Sequence, residues 1–378
     1  MTIYDEAMQA HLNLRGKLEV NTKVPLESKH DLSIYYSPGV GAVASHLGKH
    51  PEETPLYTGT NNSVAIISDG SAVLGLGNIG PEGALPVMEG KAMLFKQFAD
   101  IDGYPIVLNT QDPDKIIDAV VAIAPSFGGI NLEDIAAPHC FYIESELKKR
   151  LSIPIMHDDQ HGTAIVTLAG LINACRVTKR DLSKSKIVIV GAGAAGVAIA
   201  KLLYRYAKPS IVAVDSKGIL TRNRTDLNQE KQLLLSYGDK KQSDGSLRDA
   251  VAGADIFIGV SRGGLLIPAM VQTMAKDPII FAMANPEPEI DPELAKQAGA
   301  AIVATGRSDY PNQVNNVLAF PGIFRGALDT KSQITDAHKI AAAEAIADIV
   351  RNPNPDVIIP SALDEKVVRA VSSVFERQ

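Results

Sequence analysis

The chain has 378 residues, 46% of them hydrophobic and 21% charged, and its 37 Lys+Arg against 43 Asp+Glu leave a net charge of −6. That length exceeds one ordinary core, so two domains are expected, globular throughout because no low-complexity tract interrupts them. The absence of basic blocks argues against nucleic acid as a partner, and no apolar run reaches the roughly 18–20 residues that a membrane span needs.

The first stretch, "MTIYDEAMQAHLNLRGKLEV", is amphipathic, carries acids and lacks an apolar h-region, so it is not expected to be a signal peptide. Short, continuously apolar strands are predicted at 62–68, 104–109, 152–157, 186–191, 210–215, 255–260, 278–285 and 301–306. Helical patterns lie between several of them, such as "AAGVAIAKLLYRYA" at 194–207, and this alternation argues for parallel sheet covered on both faces. From about Thr178 to Gly306 the rhythm is that of a doubly wound domain. The chain is expected to pass between domains from the helix after "HDDQHGTA" to the charged run at 178–186, and its C-terminal helices to pack back on the other domains. Cys140 and Cys175 form neither a C-x-x-C nor a disulfide framework, which fits a reducing, cytoplasmic location.

Gly75-Leu76-Gly77-Asn78-Ile79-Gly80 has dinucleotide-loop spacing, but Pro81 follows at once and the next predicted strand ends without an acid. A turn passing close to the active cleft is the expectation there. Between Leu85 and Phe98 the apolar residues recur at helical spacing, and Lys91 stands inside that stripe with Val87, Met88, Leu94, Phe95 and Phe98. Burial disfavours an ammonium, so a pKa lowered toward general-base range is expected for Lys91. Glu133 and Asp134 follow the apolar "AVVAIAP" and two glycines, suggesting a loop at a strand end. "HDDQHGTA" at 157–164 follows the strand "SIPIMH" and opens a helix. Glu133, Asp134 and one of Asp158 and Asp159 could supply oxygens to Mg²⁺ or Mn²⁺ if the fold unites them. N-capping of the helix is the plainer use of the aspartate pair. His157 and His161 lack a third ligand at zinc spacing.

Gly191-Ala192-Gly193-Ala194-Ala195-Gly196 follows the strand "KIVIV" directly and opens a helix. Small residues there let backbone N–H groups reach a pyrophosphate at the helix N-terminus. The next strand ends at Asp215, 24 residues after Gly191, where an acid can accept the ribose hydroxyls and repel a 2′-phosphate. That favours NAD, although nearby Lys217 could receive the phosphate of NADP. The expected fold is therefore α/β, a doubly wound, Rossmann-type cofactor domain preceded by an α/β substrate and metal domain.

Taken in order, "YYSPGV" (35–40), "LGLGNIGP" (74–81), "MEGKAMLFKQFADID" (88–102), "NLEDI" (131–135), "HDDQHGTA" (157–164), "VGAGAAG" (190–196), "MANPEPE" (283–289) and "NQVNNVLAFPG" (312–322) resemble the motifs of malic enzymes, in their short bacterial form. The resemblance covers nearly the whole chain. It implies oxidative decarboxylation of (S)-malate to pyruvate and CO₂ with reduction of NAD or NADP, a need for Mn²⁺ or Mg²⁺, possible accessory oxaloacetate decarboxylation, and a homodimer. The implied division is a catalytic and metal domain at 1–160, a NAD(P)-binding domain at 161–330 and a C-terminal helical segment at 331–378. By motif, Glu133, Asp134 and Asp159 match the family's metal ligands, Asp158 the acid supporting the lysine, Lys91 the general base and Tyr36 the general acid. Asn285 and Asn316 match asparagines that contact substrate and nicotinamide, and the histidines match no role. Larger members place a malate-binding arginine where this chain has Ala72, so carboxylate recognition must differ. Rival readings are a malolactic conversion, a metal-independent 2-hydroxyacid dehydrogenase and a nucleotide-sensing regulator.

Overall fold

Residues 2–238 and 243–376 are described by the structure, a computed structural model. Among them, strands β1 (Ser63–Ser68), β2 (Asp102–Val107), β3 (Gly129–Leu132) and β4 (Ile155–His157) form one parallel sheet in the order β2-β1-β3-β4. A second sheet holds β5 (Lys186–Val190), β6 (Ser210–Asp215), β7 (Gly218–Ile219), β8 (Ile256–Gly259), β9 (Ile279–Ala282) and β10 (Ile302–Thr305). Its order is β10-β9-β8-β5-β6-β7, parallel except for β7, which pairs antiparallel with β6. Strand order reverses on either side of β5, the switch point where open α/β sheets bind ligands. The doubly wound expectation for this half is met.

Each predicted strand is present, most of them shorter than the apolar run that signals it. One segment differs from expectation. "AVVAIAP" is not a strand; it completes the helix Pro113–Ile123, capped by Asp112, whose side chain accepts from the Asp114 and Lys115 amides. Ile116, Ile117 and Val120 are its buried face, at helical spacing. The strand is the later "GINL", so Glu133 follows β3 immediately.

The register places the chemistry. Leu132 of β3 pairs with His157 of β4, so the residues after each strand, Glu133-Asp134 and Asp158-Asp159, emerge side by side at the C-terminal edge. The helix Asp158–Thr178 begins there and carries the chain into the second sheet, buried along most of its length. Asn173 on this helix donates to the carbonyls of Ala347 and Ile358 at 2.8 and 2.9 Å, tying it to the C-terminal helix Asp336–Ile349 and the segment beyond. The C-terminal helices thus pack back on the rest of the chain, as expected. One apolar cluster runs from Met88 and Phe95 through this helix to Ile189, Phe281 and Ile346. Among the described residues no helix is long and apolar enough to cross a membrane.

Phe95 is fully buried, edge-on to Phe320 and Phe324 with ring centroids 4.7 and 5.4 Å away. Phe95→Ala is expected to cost about 3–5 kcal/mol, read as a lower urea midpoint with the secondary-structure signal of the folded protein retained.

Candidate active site

Lys91 sits on the helix Gly80–Ala99, in the apolar stripe, and is only 6% exposed. A lysine there survives only with counter-charges. They come from two strand ends: Asp158 Oδ2 lies 2.5 Å from Lys91 Nζ and Glu133 Oε1 lies 2.9 Å away, while the ammonium stands 3.9 Å over the Phe320 ring. Asn316 Nδ2 also donates to Asp158 Oδ2, at 2.5 Å, and Asn131 Nδ2 donates to Glu133 Oε2 at 2.9 Å. The expectation of a lowered lysine pKa is overturned. Burial acts in that direction and is the largest single influence, but Asp158 and Glu133 together outweigh it and hold Lys91 charged, its pKa raised above the ordinary lysine value.

The acids respond oppositely. Asp158, fully buried, is pushed up to about 7, first by burial and then by repulsion from Glu133, against the pull of Lys91. Asp134 is pushed up to about 8 by burial and by the neighbouring Asp159 and Glu133. Its backbone is left-handed at φ 55°, its amide donates to Asp159 Oδ2 at 2.8 Å, and its Oδ1 accepts from the Leu74 amide at 3.3 Å. Asp134 Oδ2 is buried without a hydrogen-bond partner among the described residues, as is Asp158 Oδ1. Four carboxylates thus gather around one lysine. Neither aspartate of the doublet caps the helix, because Asp158 is its first residue and Asp159 its second. Both sit where the helix dipole favours negative charge.

These groups line a cleft of about 770 Å³ between the sheets, within the usual range for small-ligand sites. Lys91, Glu133, Asp134 and Asp159 face it from the first half; Gly193, Ala194, Ala195, Asn285 and Asn316 face it from the second. Among the described residues Lys91 is the only cation lining it, and Ala72 is also on its wall. The 75–80 turn is the close approach expected: a Cβ on Gly75 would lie 2.1 Å from the Asn285 carbonyl oxygen, and Gly77 and Gly80 have positive φ.

The glycine loop after β5 divides its work in the manner of a dinucleotide site. Gly191 has φ +111°, and a Cβ on Gly196 would lie 1.8 Å from the Gly191 carbonyl oxygen, so the first shapes the turn and the last lets helix and strand close. A Cβ on Gly193 would meet nothing within 4 Å, which leaves open space over the N-terminus of the helix Ala194–Ala207. Asp215 ends β6 as expected, but ion-paired to Arg224 and Lys231.

Tyr36 is not brought to the cleft. It caps the helix Lys29–Tyr35 at 67% exposure, outside the lining residues. Sequence reasoning also passed over a buried chain beside the site. His161 Nε2 pairs with Glu144 Oε2 at 2.9 Å, and Lys339 Nζ donates to His161 Nδ1 at 3.1 Å. Burial holds His161 down at about 4, so it is a neutral imidazole. The signal for these partners was present: Glu144 lies on the buried face Cys140, Ile143, Leu147 just as Lys91 lies on its own.

Two contrasting variants test the loop geometry. Gly196→Ala should lose at least about 1–3 kcal/mol of stability through overpacking, whereas Gly193→Ala should stay within about 0.5 kcal/mol of the parent; equal thermal midpoints would refute this division.

The sequence matches two family profiles, "Malic enzyme, N-terminal domain" over residues 15–148 and "Malic enzyme, NAD binding domain" over residues 160–374. It is 54% identical to a bifunctional malic/malolactic enzyme of Bacillus subtilis, covering 100% of this chain and 93% of that one. It is 52% identical to a NAD-dependent malic enzyme of Geobacillus stearothermophilus, covering 95% and 76%. The crystal structure of a NAD-dependent malic enzyme from Thermotoga maritima superposes with a TM-score of 0.95 at 51% identity, covering 98% of both chains.

Proposed function

The chain belongs to the malic enzyme family, and from that premise we propose that it oxidatively decarboxylates (S)-malate to pyruvate and CO₂, reducing NAD or NADP with a divalent ion in place. The observation that carries this reading is the uncompensated negative charge around Lys91. A metal-independent dehydrogenase has no use for Glu133, Asp134 and Asp159 at one cleft wall. The partnerless Asp134 Oδ2 and the all-oxygen donor set fit Mg²⁺ or Mn²⁺. The three carboxylates stand further apart than ligands of one ion, since only His50, Glu52 and Glu53 at the surface bring three metal-capable atoms within 4.8 Å among the described residues.

Glu133, Asp134 and Asp159 would hold the ion, and Gly191, Gly193, Ala194, Ala195 and Gly196 the pyrophosphate. When bound, the ion supplies Lewis-acid polarisation of the malate C2 oxygen, and the dinucleotide supplies the hydride acceptor. The protein's own part is proton handling. Asp158 Oδ2, 2.5 Å from Lys91 Nζ, is the nearest acceptor for the surplus proton of the ammonium, a transfer that the raised pKa of Lys91 opposes for as long as Glu133 faces Nζ unneutralised. The amine of Lys91 then removes the proton of the C2 hydroxyl as hydride leaves C2. Asn285 and Asn316 would orient substrate and nicotinamide with neutral donors, and Asn316 also fixes Asp158. After CO₂ departs, a proton is needed at C3 of the enolate, and Tyr36 is the family's donor.

Tyr36 serves that role only from a second copy. The helices Ile3–Leu14, Lys29–Tyr35 and Val40–Leu47 bury no residue. Tyr4, Met8 and Leu12 form an apolar stripe on the first, each more than 70% exposed. Short helices in water need tertiary packing, and apolar surface of this kind marks an interface. We read the functional unit as a homodimer in which the N-terminal segment of one protomer brings Tyr36 to its partner's cleft. The segment is anchored near that cleft on its own chain too, through the Lys17 amide to Glu89 Oε2 at 3.1 Å and Lys17 Nζ to the Pro86 carbonyl at 2.7 Å.

Incubation of malate with NAD or NADP, with Mn²⁺ or EDTA, should yield pyruvate and reduced cofactor in the metal arm alone; lactate without free reduced cofactor would indicate malolactic chemistry instead. Lys91→Ala should lower kcat by about 10²–10⁴-fold with a smaller change in KM. Mixing inactive Tyr36→Phe and Lys91→Ala proteins after reversible dissociation should restore about a quarter of wild-type sites, by random pairing in a two-fold dimer; no recovery would place Tyr36 in its own chain's site. Because burial and the neighbouring Asp159 and Glu133 push the Asp134 carboxyl up to about 8, protons should compete with the ion below that pH. The rise in thermal midpoint on adding Mn²⁺ should therefore grow from about pH 6 to about pH 8 and then level. A pH-independent rise would remove Asp134 from the ligand set.

A further inference from the structure

Asp215 stands where an acid ordinarily accepts the adenosine ribose hydroxyls, yet its carboxylate is already full. Oδ1 accepts from the Lys217 amide at 2.9 Å and from Arg224 Nη1 at 2.8 Å. Oδ2 accepts from Arg224 Nη2 at 2.9 Å and from Lys231 Nζ at 2.8 Å. An ionised carboxylate offers about four lone-pair positions, so none is left for a hydroxyl. Burial pushes Asp215 up, but the hydrogen bonds from Arg224, Lys231 and the Lys217 amide outweigh it and hold the acid at about 2. The arrangement is therefore closed throughout the neutral range.

Asp226 completes the cluster. Its Oδ1 accepts from Arg224 Nε at 2.9 Å, and its Oδ2 accepts from Arg224 Nη2 at 2.8 Å and from Lys217 Nζ at 2.7 Å. Arg224, Lys217 and Lys231 thus surround Asp215 and Asp226, three cations to two carboxylates, and the cluster is positive in sum. An acid that repels a 2′-phosphate has to present unscreened charge, and this one does not. Each lysine ammonium has three donors, and these bonds use one on Lys217 and one on Lys231.

We infer that Asp215 organises Arg224 and Lys231 instead of reading the ribose, and that the chain accepts a 2′-phosphate there, binding NADP(H) at least as tightly as NAD(H). The inference rests on the glycine loop holding a nicotinamide dinucleotide. It departs from the sequence expectation that Asp215 favours NAD.

Fluorescence titration of NADH and NADPH with the whole protein, without malate, tests this apart from turnover. NADPH should bind as tightly as NADH or more so, and added KCl should weaken NADPH more steeply, because the extra contact is ionic. Lys231→Met should weaken NADPH at least tenfold more than NADH, about 1.4 kcal/mol, while Lys231→Arg should retain NADPH. Asp215→Asn, which releases the clamp, should not improve NADPH binding. Weaker binding of NADPH than NADH by the parent protein overturns the inference, as does a gain of NADPH affinity in Asp215→Asn. Equal effects of Lys231→Met on both cofactors overturn the assignment of Lys231. Binding of neither cofactor would instead overturn the dinucleotide reading itself.

Discussion

A single buried ammonium organises this molecule. Lys91 occupies a position that its helix gives to apolar residues, and a charge there is tolerable only when opposite charges are delivered to it. They are delivered by parallel register: β3 and β4 end together, so Glu133 and Asp158 reach Nζ from adjacent strands. The second half of the chain is tied to the same point. Asn316 bonds to Asp158, and Phe320 lies beneath the ammonium. The helix that begins at Asp158 is also the one that enters the second sheet. Displacing that charge would disturb the contact between the two sheets as well as the cleft.

Satisfied and unsatisfied acid oxygens separate framework from chemistry in this chain. Glu144 is buried but fully answered by His161, Lys148 and the His157 amide, and its carboxyl is held well below the usual range despite burial. Asp215 is likewise closed by four donors. Asp134 and Asp158 each keep one buried oxygen with no partner among the described residues, and both have raised pKa values. A buried carboxylate oxygen left open costs free energy in proportion to its desolvation. The open oxygen of Asp134, on the cleft wall, is the one that supports the cation site proposed above. The same criterion is what the inference about Asp215 rests on.

Much of this was legible in the sequence for definable reasons. Strand runs, the glycine loop and the misplaced Lys91 are local patterns, with periods that survive without knowledge of the fold. The approach of Glu133 to Asp158 depends on strand register, which no local pattern states. "AVVAIAP" misled because a short apolar run reads equally as strand or as one helix face; the arbiter was Asp112-Pro113, a cap and first-turn pair just upstream. Lys91 shows the limit of reasoning from burial alone. The stripe foretold its burial correctly, but the sign of its pKa shift was set by two carboxylates distant in sequence. The ion pairs of Asp215 were hidden for a similar reason, since Arg224 and Lys231 return to it from beyond β7.

The N-terminal segment follows from the same physics of compensation. Its helices carry capping boxes at Thr2 and Ser28, so their starts are locally specified. Local specification does not stabilise short helices in water, and these have no buried face on their own chain. The exposed apolar stripe of Tyr4, Met8 and Leu12 is what supports the partner surface proposed above. Tyr36 lies at the end of one such helix, exposed and outside the residues, beginning at Ala72, that line its own chain's cleft. The two deficits are complementary. In the homodimer proposed above, each protomer would lend its Tyr36 to the other's cleft, so a symmetric pair would answer both at once. On this reading the apolar stripe is part of the catalytic apparatus, because burying it is the step that completes each cleft.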